Sequence, residues 1–350
     1  MSAIAARALV ESAEPIHVLV ADDEPMLRGI IAEFLDSLAF VTHAEVADGA
    51  EALAYIRAHP VDCLLSDIRM PRMDLRAVLA VLREEDLPPA VIATSGYSDP
   101  ATAAEILRQG AVDFLAKPLD LDRLEGALAW VARRGRFLAG LAGQVSNGGR
   151  PATKAAQRVL PEAFLEAPGG LGERFRHAER TARLVEAAFD ADEARALGGL
   201  RCAALLHEIG ASSQYLDLIA APRSLHGAEL ACVRCHAQVG ARLLKTALGA
   251  SAVPSVVEGH LDWMRSASRE GSGEEVEVAT QRLGALNAVD ALLSPRADRP
   301  PLGVAAARKA FEATHGEARP CVLGPILDRW NAIAEFHADL MEGLPMGAAE

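Results

Sequence analysis

Between Ile16 and about Arg134 the chain alternates short apolar, β-type runs with amphipathic stretches of helical period. The runs are IHVLVA, FVTHAEV, VDCLLS, AVIATS and VDFLA, with breaks at Gly49, Pro60, Pro88-Pro89, Pro100 and Gly110. Strands buried on both faces and separated by helices predict an α/β domain: a doubly wound, five-stranded parallel sheet over 16–134. From 135 to 172 the sequence is rich in Gly, Pro, Ser and Ala (GQVSNGGRPATKAAQ, then EAPGGLGE), which predicts a flexible linker. Beyond it the period becomes helical throughout, in RHAERTARLVEAAF, GAELACVRCHAQVGARLLKTAL and VEVATQRLGALNAVDALL among others. An all-α bundle is expected over 173–337, with a loose tail at 338–350.

Length and composition agree with two cores. A chain of 350 residues, 51% hydrophobic and 24% charged, is neither disordered nor one compact domain. With 35 Lys+Arg against 48 Asp+Glu the net charge is −13, and no basic cluster with interleaved aromatics appears, so DNA is not an expected partner. No apolar stretch reaches the roughly 18–20 residues of a membrane span, so no membrane insertion is expected. The first residues carry Glu11 and Glu14 and lack the apolar core of an export signal, which places the protein in the cytoplasm. Five cysteines there argue against a disulfide framework.

Ligands of an open α/β sheet gather at the carboxyl ends of its strands. Those ends carry Asp22-Asp23, Asp67, Thr94-Ser95 and Lys117-Pro118. Three neighbouring carboxylates repel one another, and a hard cation such as Mg2+ would hold them together while one of them attacks phosphorus. VADDEP, SDIRMPRMD, TSGYSD and DFLAKP, in this order, resemble the receiver domain of two-component response regulators. The resemblance implies that Asp67 accepts a phosphoryl group from a sensor histidine kinase or phosphotransfer protein. It implies that Asp22, Asp23 and Asp67 hold Mg2+, with the Arg69 carbonyl as a further ligand. Ser95 and Lys117 would contact the phosphoryl group and Phe114 would be the aromatic switch; the Lys117-Pro118 bond is often cis in such domains. Leu75 stands where the family commonly has Gly.

In the second domain His177, His207, His236 and His260 fall on successive predicted helices, and imidazoles converging from several helices can form a transition-metal site. Glu173 and His177 share a helix face, and Glu208 adjoins His207. Any one of these histidines alone would more often be an internally hydrogen-bonded core residue. ERFRHAERT, AALLHEIG, APRSLHGAELACVRCHAQVGARLL, VVEGHLDW and LGALNAVDALLSPR together resemble the HD-GYP subgroup of HD-domain metal-dependent phosphohydrolases, whose active members hydrolyse cyclic di-GMP. The resemblance implies a metal site, Fe or Mn, drawn from Glu173, His177, His207, Glu208, His236, His260 and Asn287. It is a degenerate match. Glu208 replaces the bridging aspartate, Gly259 the first histidine of an HH pair, Asn287 an aspartate ligand and Ala211 a lysine, although Asp290 is kept. EGSGEEVEV stands in place of GYP, and Glu274-Glu275 would repel an anionic dinucleotide.

Two readings follow. In the first, the chain is a response regulator whose catalytically impaired helical domain works through dimerisation or an unknown protein partner. In the second it is a phosphorylation-regulated, metal-dependent phosphodiesterase for cyclic di-GMP or another nucleotide. A transcription factor has little support, since no basic recognition helix is present. Cys232-Val-Arg-Cys235-His236 also spells the c-type haem attachment sequence. That sequence belongs to exported proteins, and packed structural cysteines are the expectation here.

Overall fold

A computed structural model of the chain describes residues 14–85, 88–96, 99–146, 171–189, 199–265, 274–316 and 318–342. The first domain runs β1 (Ile16–Ala21), α1 (Pro25–Asp36), β2 (Val41–Val46), α2 (Gly49–Ala58), β3 (Cys63–Asp67), α3 (Leu75–Leu82), β4 (Ala90–Ser95), α4 (Pro100–Gln109), β5 (Asp113–Ala116) and α5 (Leu121–Ser146). The strands are all parallel, in the order β2-β1-β3-β4-β5. The order reverses between β1 and β3, so their carboxyl ends, at Asp22 and Asp67, flank the crevice where such sheets bind ligands. Aspartates start the helices. Asp48 accepts from the Ala50 and Glu51 amides, Asp74 from Ala77, and Asp99 from Ala101 and Thr102, with Pro100 preset for the first turn of α4. Gly110 closes α4 at φ +140°, a conformation β-carbon-bearing residues rarely adopt.

The second domain is helical in its described residues: α6 (Leu171–Ala188), α7 (Leu200–Leu206), α8 (Ser213–Ile219), α9 (Gly227–Leu248), α10 (Val253–Gly259), a 3-10 turn at Trp263–Arg265, α11 (Glu274–Leu293), α12 (Val304–His315), α13 (Pro320–Asp328) and α14 (Trp330–Met341). Its core gathers Phe175, Leu184, Leu206, Val257, Leu286 and Trp330. Among the described residues no helix is long and apolar enough to cross a membrane.

The junction differs from the flexible linker expected over 135–172. The helix α5 continues without a break to Ser146, and its Phe137 and Leu141 are buried in the core of the second domain. The Gly and Ser content that suggests a loop is outweighed by these apolar side chains at helical spacing, Trp130, Phe137 and Leu141. Leu171 and Gly172, its last two residues, open α6, and residues 147–170 lie outside the described residues, as do Gly271, Gly273 and the end of the tail; the tail's first residues, 338–341, complete α14.

Nor are the two cores separate. Leu218, Cys232, Cys235 and Val239 of the helical domain belong to the receiver's apolar core, where α9 lies along α4. The contact is also polar. Asp113, the first residue of β5, is buried and accepts hydrogen bonds from the Ser213 amide and hydroxyl, both 2.8 Å. Arg242 donates to the Leu107 and Ala111 carbonyls at the end of α4, Trp130 donates to Ala211 O, and Arg123 pairs with Asp217. Arg134, only 2% exposed, lies 5.3 Å from the Trp130 ring, and its two terminal nitrogens find no hydrogen-bond partner among the described residues.

Candidate functional site

The sheet assembles the first site from strand ends. Asp22 is buried; its Oδ1 accepts from the Glu24 amide at 3.0 Å and its Oδ2 from Lys117 Nζ at 2.7 Å. Asp67 accepts from the Arg69 amide at 2.7 Å through Oδ2 and pairs with Lys117 Nζ at 2.5 Å through Oδ1. Burial pulls the Lys117 ammonium down, but Asp22 and Asp67 outweigh it and hold the lysine charged. Asp23 is exposed beside them, Ser95 ends β4, and Phe114 is buried in β5. The Lys117 amide donates to Ser95 O at 2.7 Å, joining two of these residues through the backbone, and the Lys117-Pro118 bond is cis. Asp22, Asp23, Asp67, Ser95 and Lys117 therefore stand at one end of the sheet, whereas Phe114 lies two residues before the end of β5. Three carboxylates against one ammonium leave a net negative site suited to a divalent cation, and a carboxylate oxygen there can attack phosphorus.

Residues 18–129 match the response regulator receiver domain family. The probable transcriptional regulatory protein NarL of Mycobacterium tuberculosis is 35% identical over 145 residues, which cover 39% of this chain and 67% of that protein. The chain belongs to the response regulators. The transcriptional regulatory protein ZraR of Salmonella typhimurium is 33% identical over 199 residues, covering 54% of this chain and 44% of that one. The signal receiver domain of the putative response regulator NarL from M. tuberculosis is 36% identical, with a TM-score of 0.33 over 35% of this chain and 98% of that one. The chain spans about half the length of several curated relatives that it matches. A receiver domain implies two-component, phosphorylation-regulated function, a histidine kinase or phosphotransfer partner, and Mg2+ at the phosphorylation site. The family match ends at residue 129, so the helical domain of this response regulator must be read from its own residues.

There the four histidines converge. His177 comes from α6, His207 follows α7, His236 lies in α9 and His260 follows α10. All four are buried. The His207 ring centroid is 5.1 Å from those of both His177 and His260, and His236 is 5.4 Å from His260. Each Nδ1 is engaged outward: His207 with Ala204 O, His236 with Val233 O and His260 with Val257 O at 2.6–2.7 Å, and His177 with Asp290 at 2.6 Å. Those acceptors fix the tautomer and leave every Nε2 as a lone-pair donor. The Nε2 atoms of His177 and His207 lie 3.2 Å apart, and those of His236 and His260 are buried without a partner among the described residues. Glu208 Oε1 is 3.7 Å from His177 Nε2 and 3.6 Å from His207 Nε2, and Tyr215 donates to its other oxygen at 2.9 Å. His177, His207 and Glu208 can offer ligand atoms all within 4.8 Å of one another.

Charge and burial prepare these groups for a cation. Burial pushes His207 down to about 4, so its imidazole is neutral. Burial also drives His260 down, helped by His207 and His236. Glu208 stays ionised, because His236 and Arg174 outweigh the upward push of burial. The orphaned Nε2 atoms and this carboxylate fit a borderline metal ion with nitrogen and oxygen ligands.

One residue of the expected ligand set, Glu173, is not brought in. Glu173 is half exposed and pairs with Arg176 and Arg180. Asn287 sits half-buried on α11, and it is Asp290, one turn later, that reaches His177. Asp290 also accepts from Arg180 and Ser294 and bonds His337, an outer shell of which only the aspartate stands out in the sequence. Glu274 and Glu275 lie in the first turn of α11, where acidic side chains complement the helix dipole whatever ligand is present. Cys232 and Cys235 face the receiver from α9 while His236 faces the other histidines, so the C-x-x-C-H run does not form a haem site. Burial pushes the Cys232 thiol up to about 12, as expected of a packed, inert cysteine.

Proposed function

We propose that Asp67 of this response regulator is phosphorylated by a sensor histidine kinase or phosphotransfer protein, with Mg2+ held by Asp22, Asp23 and Asp67. Its helical domain is then a degenerate HD-GYP-type unit that retains a transition-metal ion, Fe or Mn, for signalling rather than hydrolysis. The observation that carries the metal reading is the set of four buried imidazoles whose Nδ1 atoms all point outward to fixed acceptors. His177, His207, His236, His260 and Glu208 would hold the ion, which would supply a fixed positive charge and tie four helices together. Burial of all five residues, none above 5% exposed, supports a closed centre over one with a position open to a nucleotide. The domain acts on a partner protein or a second copy.

Two measurements on the purified chain test this reading. Acetyl phosphate with Mg2+ should label the protein, and Asp67→Asn should abolish the label; persistent labelling at another residue contradicts the assignment. Cyclic di-GMP should remain intact with Mn2+ or Fe2+, with or without beryllofluoride. Metal-dependent turnover abolished by His207→Ala would instead establish the phosphodiesterase reading.

A further inference from the structure

The chain carries 48 acidic against 35 basic side chains, and one cleft in it reverses that balance. The cleft lies where the end of α4 meets α9, the turn that follows it and α10, and it encloses about 630 Å3. Arg108 enters from α4, while Arg242 and Lys245 share one face of α9. Glu258 is the one carboxylate among the described lining residues. Arg242 is fixed by carbonyl oxygens, its Nη2 donating to Leu107 O at 2.7 Å and Ala111 O at 3.0 Å, and Arg83 nearby donates to Gln109 O at 2.8 Å. Carbonyls orient a guanidinium without cancelling its charge. Burial, and then the charge of Arg83, push Arg242 down from its ordinary value against the opposing pull of Cys235 and Glu258. Such a gathering of like charges favours an anion among them.

We propose that this cleft binds a small phosphorylated, hydroxyl-bearing metabolite of nucleoside diphosphate size, its phosphates on Arg108, Arg242 and Lys245 and its sugar hydroxyls on Glu258 and Gln238. Positive charge selects phosphate, which guanidinium and ammonium groups grip through charge-assisted hydrogen bonds. The volume falls within the roughly 300–1,000 Å3 of small-molecule sites and exceeds what one inorganic anion fills. Glu258 repels a bare anion but accepts from a sugar hydroxyl, and the Gln238 amide offers both a donor and an acceptor. Ser251 Oγ already accepts from the Val253 amide at 3.2 Å, which leaves its proton for a ligand oxygen. Among the described residues no aromatic side chain lines the cleft, so phosphate and sugar rather than a stacked base carry the recognition. A nucleic acid strand does not suit the site, because the net charge of −13 repels a polyanion beyond it.

The cleft shares no residue with the strand-end carboxylates or with the histidine cluster, so it stands or falls apart from both readings above. The test is isothermal titration of the full chain with ADP, GDP and sulfate in buffer free of Mg2+. ADP or GDP should bind at a single site, at least about tenfold more tightly than sulfate. Lys245→Ala and Arg108→Ala, both at exposed positions, should each weaken that binding about tenfold, the scale of one charged hydrogen bond. Lys245→Arg should retain it. Lys309→Ala, on α12, should leave it unchanged, which separates the cleft from general surface charge. Absence of nucleotide binding at millimolar concentration overturns the proposal, and so does binding that neither Lys245→Ala nor Arg108→Ala weakens. Sulfate held as tightly as either nucleotide marks an adventitious ion only and overturns it as well.

Discussion

Asp290 makes no contact with the candidate ion itself, yet its carboxylate holds His177, Arg180, Ser294 and His337 in one buried network. Outer partners of this kind commonly carry 10–100-fold of metal affinity, so Asp290→Asn should weaken Mn2+ binding by about that factor in a titration. Glu173→Ala should leave the affinity unchanged, because that carboxylate is half exposed and spent on Arg176 and Arg180; an equal loss in both variants would contradict the ligand set. The receiver residues were legible because strand ends in a parallel sheet are fixed by pattern alone, and Asp22, Asp67, Ser95 and Lys117 occupy those ends. The histidines were legible as a set, but their outer shell was not. Arg180, Tyr215 and His337 carry no local signature, and their contacts join residues far apart in the chain.

At the level of elements, the turn after α7 packs directly against α9. Gly210 lies so close to α9 that a β-carbon would overlap the His236 carbonyl oxygen and the Gly240 nitrogen, both backbone atoms that cannot yield cheaply. Gly210→Ala should cost about 3 kcal/mol and lower Tm by roughly 6–12 °C; a Tm within about 1 °C of the parent would contradict this packing. A second prediction concerns pH. Burial raises the Asp113 carboxyl, outweighing its hydrogen bonds from Ser213 and Phe114 and the field of Arg134. The thiols of Cys63 and Cys232 also face it and remain neutral, each pushed up to about 12 by burial. The folded form therefore binds a proton more tightly than an exposed carboxyl near 3.9 does. The stability this contributes is complete below that value and is lost as pH rises through the raised pKa. Exchange of the Ser213 amide, corrected for its intrinsic rate, should thus quicken as pH rises above about 3.9, and Asp113→Asn should remove the trend. The strands matched their apolar runs to within two residues, but the linker did not, because small residues hid the apolar positions of α5 that enter the second core.

The whole molecule is two domains that share the helix α5 and an apolar contact between α4 and α9. That union was invisible in the sequence. Asp113 reads as an ordinary strand residue and Arg134 as an ordinary surface arginine until the domains are brought together around them. The acidic surface, at −13, sets a background against which a bound cation is favoured at both sites. The central claim is that the helical domain holds a metal through four imidazoles and Glu208. Elemental analysis of anaerobically purified chain, beside His177→Ala, His207→Ala, His236→Ala and His260→Ala, tests it directly. The account predicts close to stoichiometric Fe or Mn in the parent and a large loss in each folded variant; a parent that stays metal-free after loading with Fe2+ or Mn2+ would contradict it.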